Sequence, residues 1–291
     1  MSLTKCLTAL VFASILDSTH ALVRGRDHLA PKHVVVSFDD GPNNTTTPKL
    51  LDTLRANQVR ATFFVVGVNV DNADLMRRML QDGHVLGSHT FGHAHMTRVS
   101  VQAMHEEIFK TEDRFQRYVG DRPWFFRAPY GELSADVIAF LEGRHYQIIG
   151  WDDDTVDWQK SKPAQVVHAA VSLLKGHETG AIMLMHEYVW TTEAQKTLLP
   201  EVYAAGWKFA DPLDMLTEVQ LARLKNASCF AGVCARFALT RRWCCGRGER
   251  KVGKVGVGTM EKEVAWNLTS MEDALNFQRM AVEQQDAVEE F

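Results

Sequence analysis

The chain contains the stretch His33-Val34-Val35-Val36-Ser37-Phe38-Asp39-Asp40-Gly41-Pro42, an apolar run that ends in two adjacent carboxylates. The run 33–36 is short and rich in β-branched residues, which favours a buried strand. Asp39 and Asp40 then lie at the carboxyl end of that strand. Adjacent aspartates after a strand often belong only to a turn or a helix cap. This pair therefore indicates a catalytic role only together with other functional motifs in the sequence.

Short apolar runs alternate with amphipathic segments over the range 31–217. The predicted strands are 34–36, 61–66, 84–86, 124–126, 147–149, 181–184 and 207–209. The predicted helices between them are 48–55, 74–81, 101–118, 134–141, 163–174 and 191–205. This regular alternation predicts an α/β fold in which a parallel sheet is covered by helices and closed into a barrel.

Polar side chains follow most of the predicted strands. They are Asp39, Asp40, His89, His93, Arg127, Asp157 and His186. Reactive groups of such barrels lie at the carboxyl ends of the strands, so we expect these side chains to converge there.

The second informative stretch is His89-Thr90-Phe91-Gly92-His93, with two imidazoles four residues apart. Histidines at this spacing are usually surface residues, but they can also hold one ion from a single turn. Two histidines and one carboxylate make a three-ligand metal site with positions left open for water. The second carboxylate of the Asp39-Asp40 pair is then available as a general base. Together these residues indicate a metal-dependent hydrolase.

Three further motifs follow in order. They are Phe126-Arg127-Ala128-Pro129-Tyr130-Gly131, Asp154-Thr155-Val156-Asp157-Trp158 and Leu184-Met185-His186. With the first two, the set resembles the polysaccharide deacetylases, the NodB homology domain of carbohydrate esterase family 4, and most of all the secreted chitin deacetylases. The resemblance covers about residues 31–217, which we take as the catalytic domain, and it implies a distorted (β/α) barrel.

The resemblance implies a role for each of five residues. It makes Asp40, His89 and His93 the metal ligands. It makes Asp39 the base that deprotonates a metal-bound water, which then attacks the carbonyl carbon of an N-acetyl group. It makes His186 the acid that protonates the leaving amine, because an imidazole titrates near neutral pH. Zinc suits this ligand set, and cobalt, nickel or manganese could take the same ligands.

The resemblance also implies five supporting residues. Asp157 would orient the acid histidine, and Arg127 would tether and tune the base aspartate. The backbone N–H of Tyr130 would help to hold the developing oxyanion. Trp158 and Leu184 would line an apolar slot for the acetyl methyl group, with Tyr130 beside them in the substrate site.

Departures from the family pattern are few. Ala128 stands where proline is frequent, and Glu187 follows the acid histidine where aspartate is frequent. The run of aspartates before the fourth motif leaves Asp154 as an alternative to Asp157 as the partner of His186. No departure removes a metal ligand or a proton-transfer group.

The amino terminus has the pattern of a secretory signal peptide. Lys5 precedes the apolar run 7–16, and polar residues follow as far as Ala21, so we predict a signal peptide at 1–21. An amphipathic first helix or a membrane anchor is the alternative, but the run is too short for an anchor. Secretion would place the protein outside the cell or in the cell wall.

The pattern changes again beyond residue 224. Residues 225–291 form a cysteine-containing extension that we interpret as a surface extension or a partly disordered segment. It carries Cys229, Cys234, Cys244 and Cys245. Four cysteines allow three disulfide pairings, and a zinc cluster competes poorly because the spacing lacks two CxxC halves.

Composition narrows the class of protein. The 291 residues are 46% hydrophobic and 23% charged, as in ordinary globular proteins, and the formal net charge of -4 argues against a nucleic-acid binder. After the first twenty residues no apolar run is long enough to span a bilayer.

The expected activity is removal of N-acetyl groups from N-acetylglucosamine polymers, with chitin the first choice as substrate. The alternatives are O-acetyl xylan esterase, peptidoglycan deacetylase and a non-catalytic carbohydrate-binding wall protein. A protein that only bound sugar would not need Asp39, Arg127 and His186.

Overall fold

The computed structural model describes residues 22–222. The predicted signal peptide, 1–21, and the predicted cysteine-containing extension, 225–291, lie outside the described residues, so both stay predictions.

Nine strands lie within the described range. They are β1 (Leu22–Val23), β2 (His33–Asp39), β3 (Ala61–Val65), β4 (Val85–Ser88), β5 (Phe125–Phe126), β6 (Gln147–Ile149), β7 (Asp153–Asp154), β8 (Ala181–His186) and β9 (Lys208–Phe209). All their pairings are parallel, in the order β1-β6-β5-β4-β3-β2-β8-β7, with β9 beside the start of β2. The predicted fold class, a distorted (β/α) barrel, is confirmed. Strands β1 and β7 were not predicted, because two residues are too short to show a periodicity.

Seven helices cover the sheet over the same range. They are α1 (Gly25–His28), α2 (Thr47–Ala56), α3 (Ala73–Gln81), α4 (Val101–Val119), α5 (Ala135–Gly143), α6 (Pro163–Lys175) and α7 (Val189–Ala204). Side-chain caps fix where three of them begin, since Asn72, Ser100 and Ser134 each accept a backbone N–H of the first turn. Among residues 22–222, no helix combines the length and the apolar character that a bilayer crossing requires.

Strand β2 lies at the centre of the core and is buried on both faces. Val34, Val36 and Phe38 pack against the helices in one cluster, whereas Val35 belongs to a second cluster inside the barrel. Because side chains alternate along a strand, Ser37 and the terminal aspartate share the inner face with Val35. The apolar alternation of β2 therefore points the first catalytic candidate, Asp39, into the mouth of the barrel.

Asp152 links α1 to β8 by hydrogen bonds, at a place where no strand pairing within residues 22–222 joins the two ends of the sheet. Its Oδ2 accepts the backbone N–H of Gly25, 2.6 Å away, and that of Ile182, 2.8 Å away. Its Oδ1 lies 2.7 Å from Nε of Arg26. A Cβ on Gly25 would stand 2.4 Å from the Ala181 carbonyl carbon, so only glycine allows this approach of α1 to β8.

His84 is a buried titratable group outside the barrel mouth. Its Nδ1 accepts the backbone N–H of Ala61 at 3.1 Å, which requires the neutral ring. Burial lowers the pKa of His84 to about 4.

We predict that the free energy of unfolding of His84→Asn falls less steeply than that of the native sequence between about pH 6.5 and pH 4. In the unfolded chain a histidine takes up a proton below about pH 6.5, whereas folded His84 resists protonation until about pH 4. The free energy of unfolding of the native sequence therefore falls between these pH values, by about 3 kcal/mol in full. Asparagine can still accept the Ala61 N–H and does not titrate. Urea unfolding at several pH values measures this; equal slopes for both proteins would contradict the prediction.

Candidate active site

The predicted site residues converge at the carboxyl ends of neighbouring strands. Asp39 ends β2 and lies in register with His186, which ends β8. His89 directly follows β4, and Arg127 directly follows β5. Strand β2 pairs with β8, and β4 pairs with β5, while β3 lies between β2 and β4. The barrel therefore brings together residues that lie far apart in the sequence.

A buried ion pair fixes Asp39. Arg127 is 1% exposed, and its Nη1 donates to Asp39 Oδ1 and to Ser37 Oγ, both at 2.8 Å. Its Nη2 donates to the carbonyl of Gly150 at 2.8 Å, and the Phe64 ring lies 4.1 Å from the guanidinium carbon. Burial lowers the pKa of Arg127, and the charge of Asp39 opposes that effect. Removing either partner would leave a buried charge unpaired, which costs about 3–5 kcal/mol.

The candidate metal ligands form a compact set. One ligand atom from each of Asp40, His89 and His93 lies within 4.8 Å of the others. Asp40 Oδ1 is 3.3 Å from His93 Nε2 and 3.7 Å from His89 Nε2. That oxygen is buried and has no hydrogen-bond partner among the described residues.

The surroundings of these residues fit a divalent cation. His89 Nδ1 lies 2.8 Å from the carbonyl oxygen of Arg127, so its N–H donates there and its Nε2 lone pair faces Asp40. Burial lowers the pKa of His89, which favours the neutral ring that a metal requires. Two imidazole nitrogens and one carboxylate suit zinc and several other transition metals, so the donor set leaves the identity of the ion open.

Backbone strain accompanies the same residues. Asp40, His93 and Tyr130 have φ values of 69°, 60° and 60°. This left-handed region costs a residue with a Cβ about 1–3 kcal/mol, and such strain concentrates at functional sites. Asn69 supports one of these turns, since its Nδ2 donates to the Asp40 carbonyl at 2.8 Å.

His186 is held in its charged form by Asp157. His186 Nδ1 lies 2.7 Å from Asp157 Oδ1, and Asp157 Oδ2 accepts both the His186 backbone N–H and the Thr191 hydroxyl. Burial lowers the pKa of His186, but the hydrogen bond and charge of Asp157, with the charges of Asp39 and Asp40, outweigh it and raise the pKa to about 9. Nε2 of His186 lies 4.0 Å from Oδ2 of Asp40, so its N–H lies beside the candidate metal ligands.

The neighbouring aspartates have other partners. Asp152 closes the barrel, and Asp153 lies 3.1 Å from Nε2 of His177. Asp154 Oδ1 accepts the N–H of Val156 within its own turn, at 2.7 Å. Of the two candidates that the sequence left open, the structure places Asp157 against His186.

The predicted substrate residues differ in exposure. Tyr130 is 57% exposed and Trp158 is 53% exposed at the rim of the barrel mouth. Leu184 is buried, and strand alternation places it on the same face of β8 as His186. The rim therefore offers two aromatic faces, and the interior offers an apolar wall below them.

Glu187, which the sequence marked only as a departure from the family pattern, is a buried neighbour of the site. Burial raises the pKa of its carboxyl group to about 8. Its Oε2 accepts the hydroxyl of Thr47. Its Oε1 lies where a Cβ on Gly41 would be, only 1.6 Å from that position. The side chain of Glu187 therefore supports the loop that follows Asp40.

Ser37 and Thr191 also contribute to the site. Ser37 was within reach of sequence reasoning, because it lies two residues before Asp39 and hence on the same face of β2. Thr191, 34 residues from Asp157, carries no sequence signal that would pair the two.

We predict that Asp157→Asn lowers the pKa of His186 from about 9 by about 2 units in the metal-free protein. The substitution removes the charge that opposes burial and keeps the shape of the side chain. Titration of the His186 ring by NMR measures the change. Asp154→Asn is the matched control, because Asp154 carries the same charge in the adjacent turn; an equal shift there would contradict the role of Asp157.

Comparison with known proteins decides the family. The model of the polysaccharide deacetylase family matches residues 26–149. A chitooligosaccharide deacetylase of Bradyrhizobium is 35% identical over 159 residues, which are 54% of this chain and 71% of the relative. The chain belongs to the polysaccharide deacetylase family.

Other members are similar in sequence and in structure. The peptidoglycan-N-acetylglucosamine deacetylase PgdA of Listeria monocytogenes is 39% identical over 180 residues, 61% of this chain. The match spans only 37% of the length of that relative. The structure of a chitin deacetylase from the fungal pathogen Colletotrichum lindemuthianum aligns with a TM-score of 0.61 and 30% identity, over 67% of this chain and 91% of that one. The polysaccharide deacetylase fold thus extends over most of the described range.

Proposed function

We propose that this protein is a metal-dependent hydrolase that removes N-acetyl groups from N-acetylglucosamine polymers. The observation that carries the proposal is the meeting of three kinds of group in one barrel mouth. They are the Asp40, His89 and His93 set, the carboxylate of Asp39 held by Arg127, and the protonated His186. A base and an acid on either side of a cation site are what amide hydrolysis at neutral pH needs.

Asp39 is positioned to act as the base. Its Oδ1 is occupied by Arg127, whereas its Oδ2 lies 3.7 Å from His89 Nε2 and so faces the ligand set. A divalent cation held by the ligand set would polarise the acetyl carbonyl and lower the pKa of water. Asp39 accepts the proton of the attacking water, whose oxygen bonds to the carbonyl carbon.

His186 completes the reaction on the leaving group. The backbone N–H of Tyr130 donates to the carbonyl oxygen as negative charge develops on it. His186, charged at neutral pH, gives its Nε2 proton to the nitrogen as the C–N bond breaks. The products are acetate and a free amine on the sugar. Asp157 keeps Nδ1 of the ring occupied, so that the mobile proton is on the side of the substrate.

Chitin is our first choice of substrate, and peptidoglycan is the second candidate. Both carry the same acetamido group on N-acetylglucosamine, so the catalytic groups serve either. Structural similarity to the chitin deacetylase of Colletotrichum supports chitin as the substrate. Sequence similarity to the peptidoglycan-N-acetylglucosamine deacetylase of Listeria supports peptidoglycan. The exposed rings of Tyr130 and Trp158 suit the apolar faces of sugar rings in both.

We further propose that the protein is secreted and acts at the cell surface or cell wall. The support is the sequence pattern of Lys5 and the apolar run 7–16. Amino-terminal sequencing of the protein from culture medium would test it, with a start at Leu22 as the expected result.

We predict that Asp39→Asn lowers kcat by about 10²–10⁴-fold while the protein still binds metal. Alanine at His89 or at His93 should lose the metal as well as the activity, because each removes a ligand. Metal content and acetate release measure the two effects separately. Thermal unfolding is the control, since Asp39→Asn leaves Arg127 without its partner. Full activity in Asp39→Asn would favour a different base.

We predict chelator-sensitive release of acetate from chitin oligomers, restored by added zinc. Peptidoglycan and acetylated xylan are the parallel substrates. Acetate release from peptidoglycan alone would identify peptidoglycan, the second candidate, as the substrate. Acetate release from xylan alone would indicate that the protein is an esterase. Metal binding without release from any of the three would favour the non-catalytic carbohydrate-binding alternative.

A further inference from the structure

The two candidate ligand histidines are oriented by different means. His89 Nδ1 faces a backbone carbonyl, that of Arg127, at 2.8 Å. His93 Nδ1 instead faces a side chain, the hydroxyl of Tyr130, at 3.2 Å. The rings of His93 and Tyr130 meet edge to face, with centroids 4.8 Å apart. The orientation of His93 therefore depends on where the Tyr130 ring is held.

The Tyr130 ring has little support from the core. It is 57% exposed and stands on a short turn in which Tyr130 itself has a left-handed φ of 60°. One neighbour covers it closely: the His95 ring is stacked on it, with centroids 3.7 Å apart and planes within 6°. An exposed ring on a strained turn needs such a contact to keep one orientation.

His95 is in turn fixed by Glu132. Its Nδ1 lies 3.0 Å from Glu132 Oε2. The same carboxylate oxygen accepts the hydroxyl of Thr97 at 2.8 Å, and the other oxygen accepts Nη2 of Arg98 at 3.2 Å. Glu132 follows Tyr130 by two residues, so the carboxylate ties the turn to the segment that carries both His93 and His95.

We propose that Glu132 and His95 clamp the Tyr130 ring so that its hydroxyl sets the orientation of the His93 ring for metal binding. The inference rests on the metal site of the proposed function. When Nε2 of His93 binds a cation at the position shared with Asp40, Nδ1 carries the proton and would donate it to the Tyr130 oxygen. Partners of this kind typically change metal affinity by about 10–100-fold when removed. Tyr130 thus contributes its side chain to the metal site, besides the backbone N–H used for the oxyanion.

The test is the dissociation constant for zinc, measured by competition with a chelator, in the whole protein. Tyr130→Phe keeps the ring and the backbone N–H and removes the hydroxyl. We expect it to raise the dissociation constant about 10–100-fold. His95→Ala should raise it by a smaller factor. The double variant should be no weaker than Tyr130→Phe alone, because His95 acts through the hydroxyl.

The matched control is Tyr188→Phe. The ring of Tyr188 lies 5.6 Å from that of His186 at the same barrel mouth, and within residues 22–222 it has no aromatic contact or hydrogen bond with His89 or His93. We expect its zinc affinity to equal that of the native protein. Thermal unfolding of each variant separates loss of metal from loss of the fold.

Four results would overturn the inference. They are an unchanged dissociation constant in Tyr130→Phe, an unchanged one in His95→Ala, an additive effect in the double variant, and an equal loss in Tyr188→Phe. The zinc dissociation constant is measured without substrate, so it tests the clamp independently of the reaction. If the zinc affinities change as expected but no acetate is released from any substrate, the proposed reaction is rejected and the clamp is retained.

Discussion

The buried contact between Arg127 and Asp39 organises the barrel mouth. A guanidinium that is 1% exposed can remain charged only because a carboxylate, a hydroxyl and a backbone carbonyl share its N–H groups. The same contact occupies one oxygen of Asp39 and directs the other towards the ligand set. The carbonyl of Arg127 meanwhile orients His89. Arg127, itself buried, thus positions both the proposed base, Asp39, and a proposed metal ligand, His89.

Around this contact the site divides into a rigid part and an adjustable part. Asp39, His89 and His186 stand at or directly after strands, where the ladder fixes the backbone. His93 and Tyr130 stand on turns with left-handed φ, and their side chains depend on one another.

The sequence predicted best those features of the structure that a single local pattern of residues determines. Strand β2 was predictable because its β-branched run ends in polar residues. The candidate ligand set was predictable because two histidines stand four residues apart and an aspartate follows a strand. Contacts between distant, ordinary residues gave no such signal: Thr191 against Asp157, or Asp152 against Gly25. Within the aspartate run, composition alone could not separate Asp154 from Asp157. That choice depends on which carboxylate the turn before α6 aims at β8, and this is a property of three-dimensional packing.

The fit of Glu187 against Gly41 links two positions that lie far apart in the chain. A methyl group at residue 41 would stand 1.6 Å from Oε1 of Glu187, so any side chain at that position would require the buried carboxylate to move. A substitution of Gly41 is therefore expected to be tolerated better when residue 187 also carries a shorter side chain. The loop that follows Asp40 thus depends sterically on a residue that directly follows a different strand, β8.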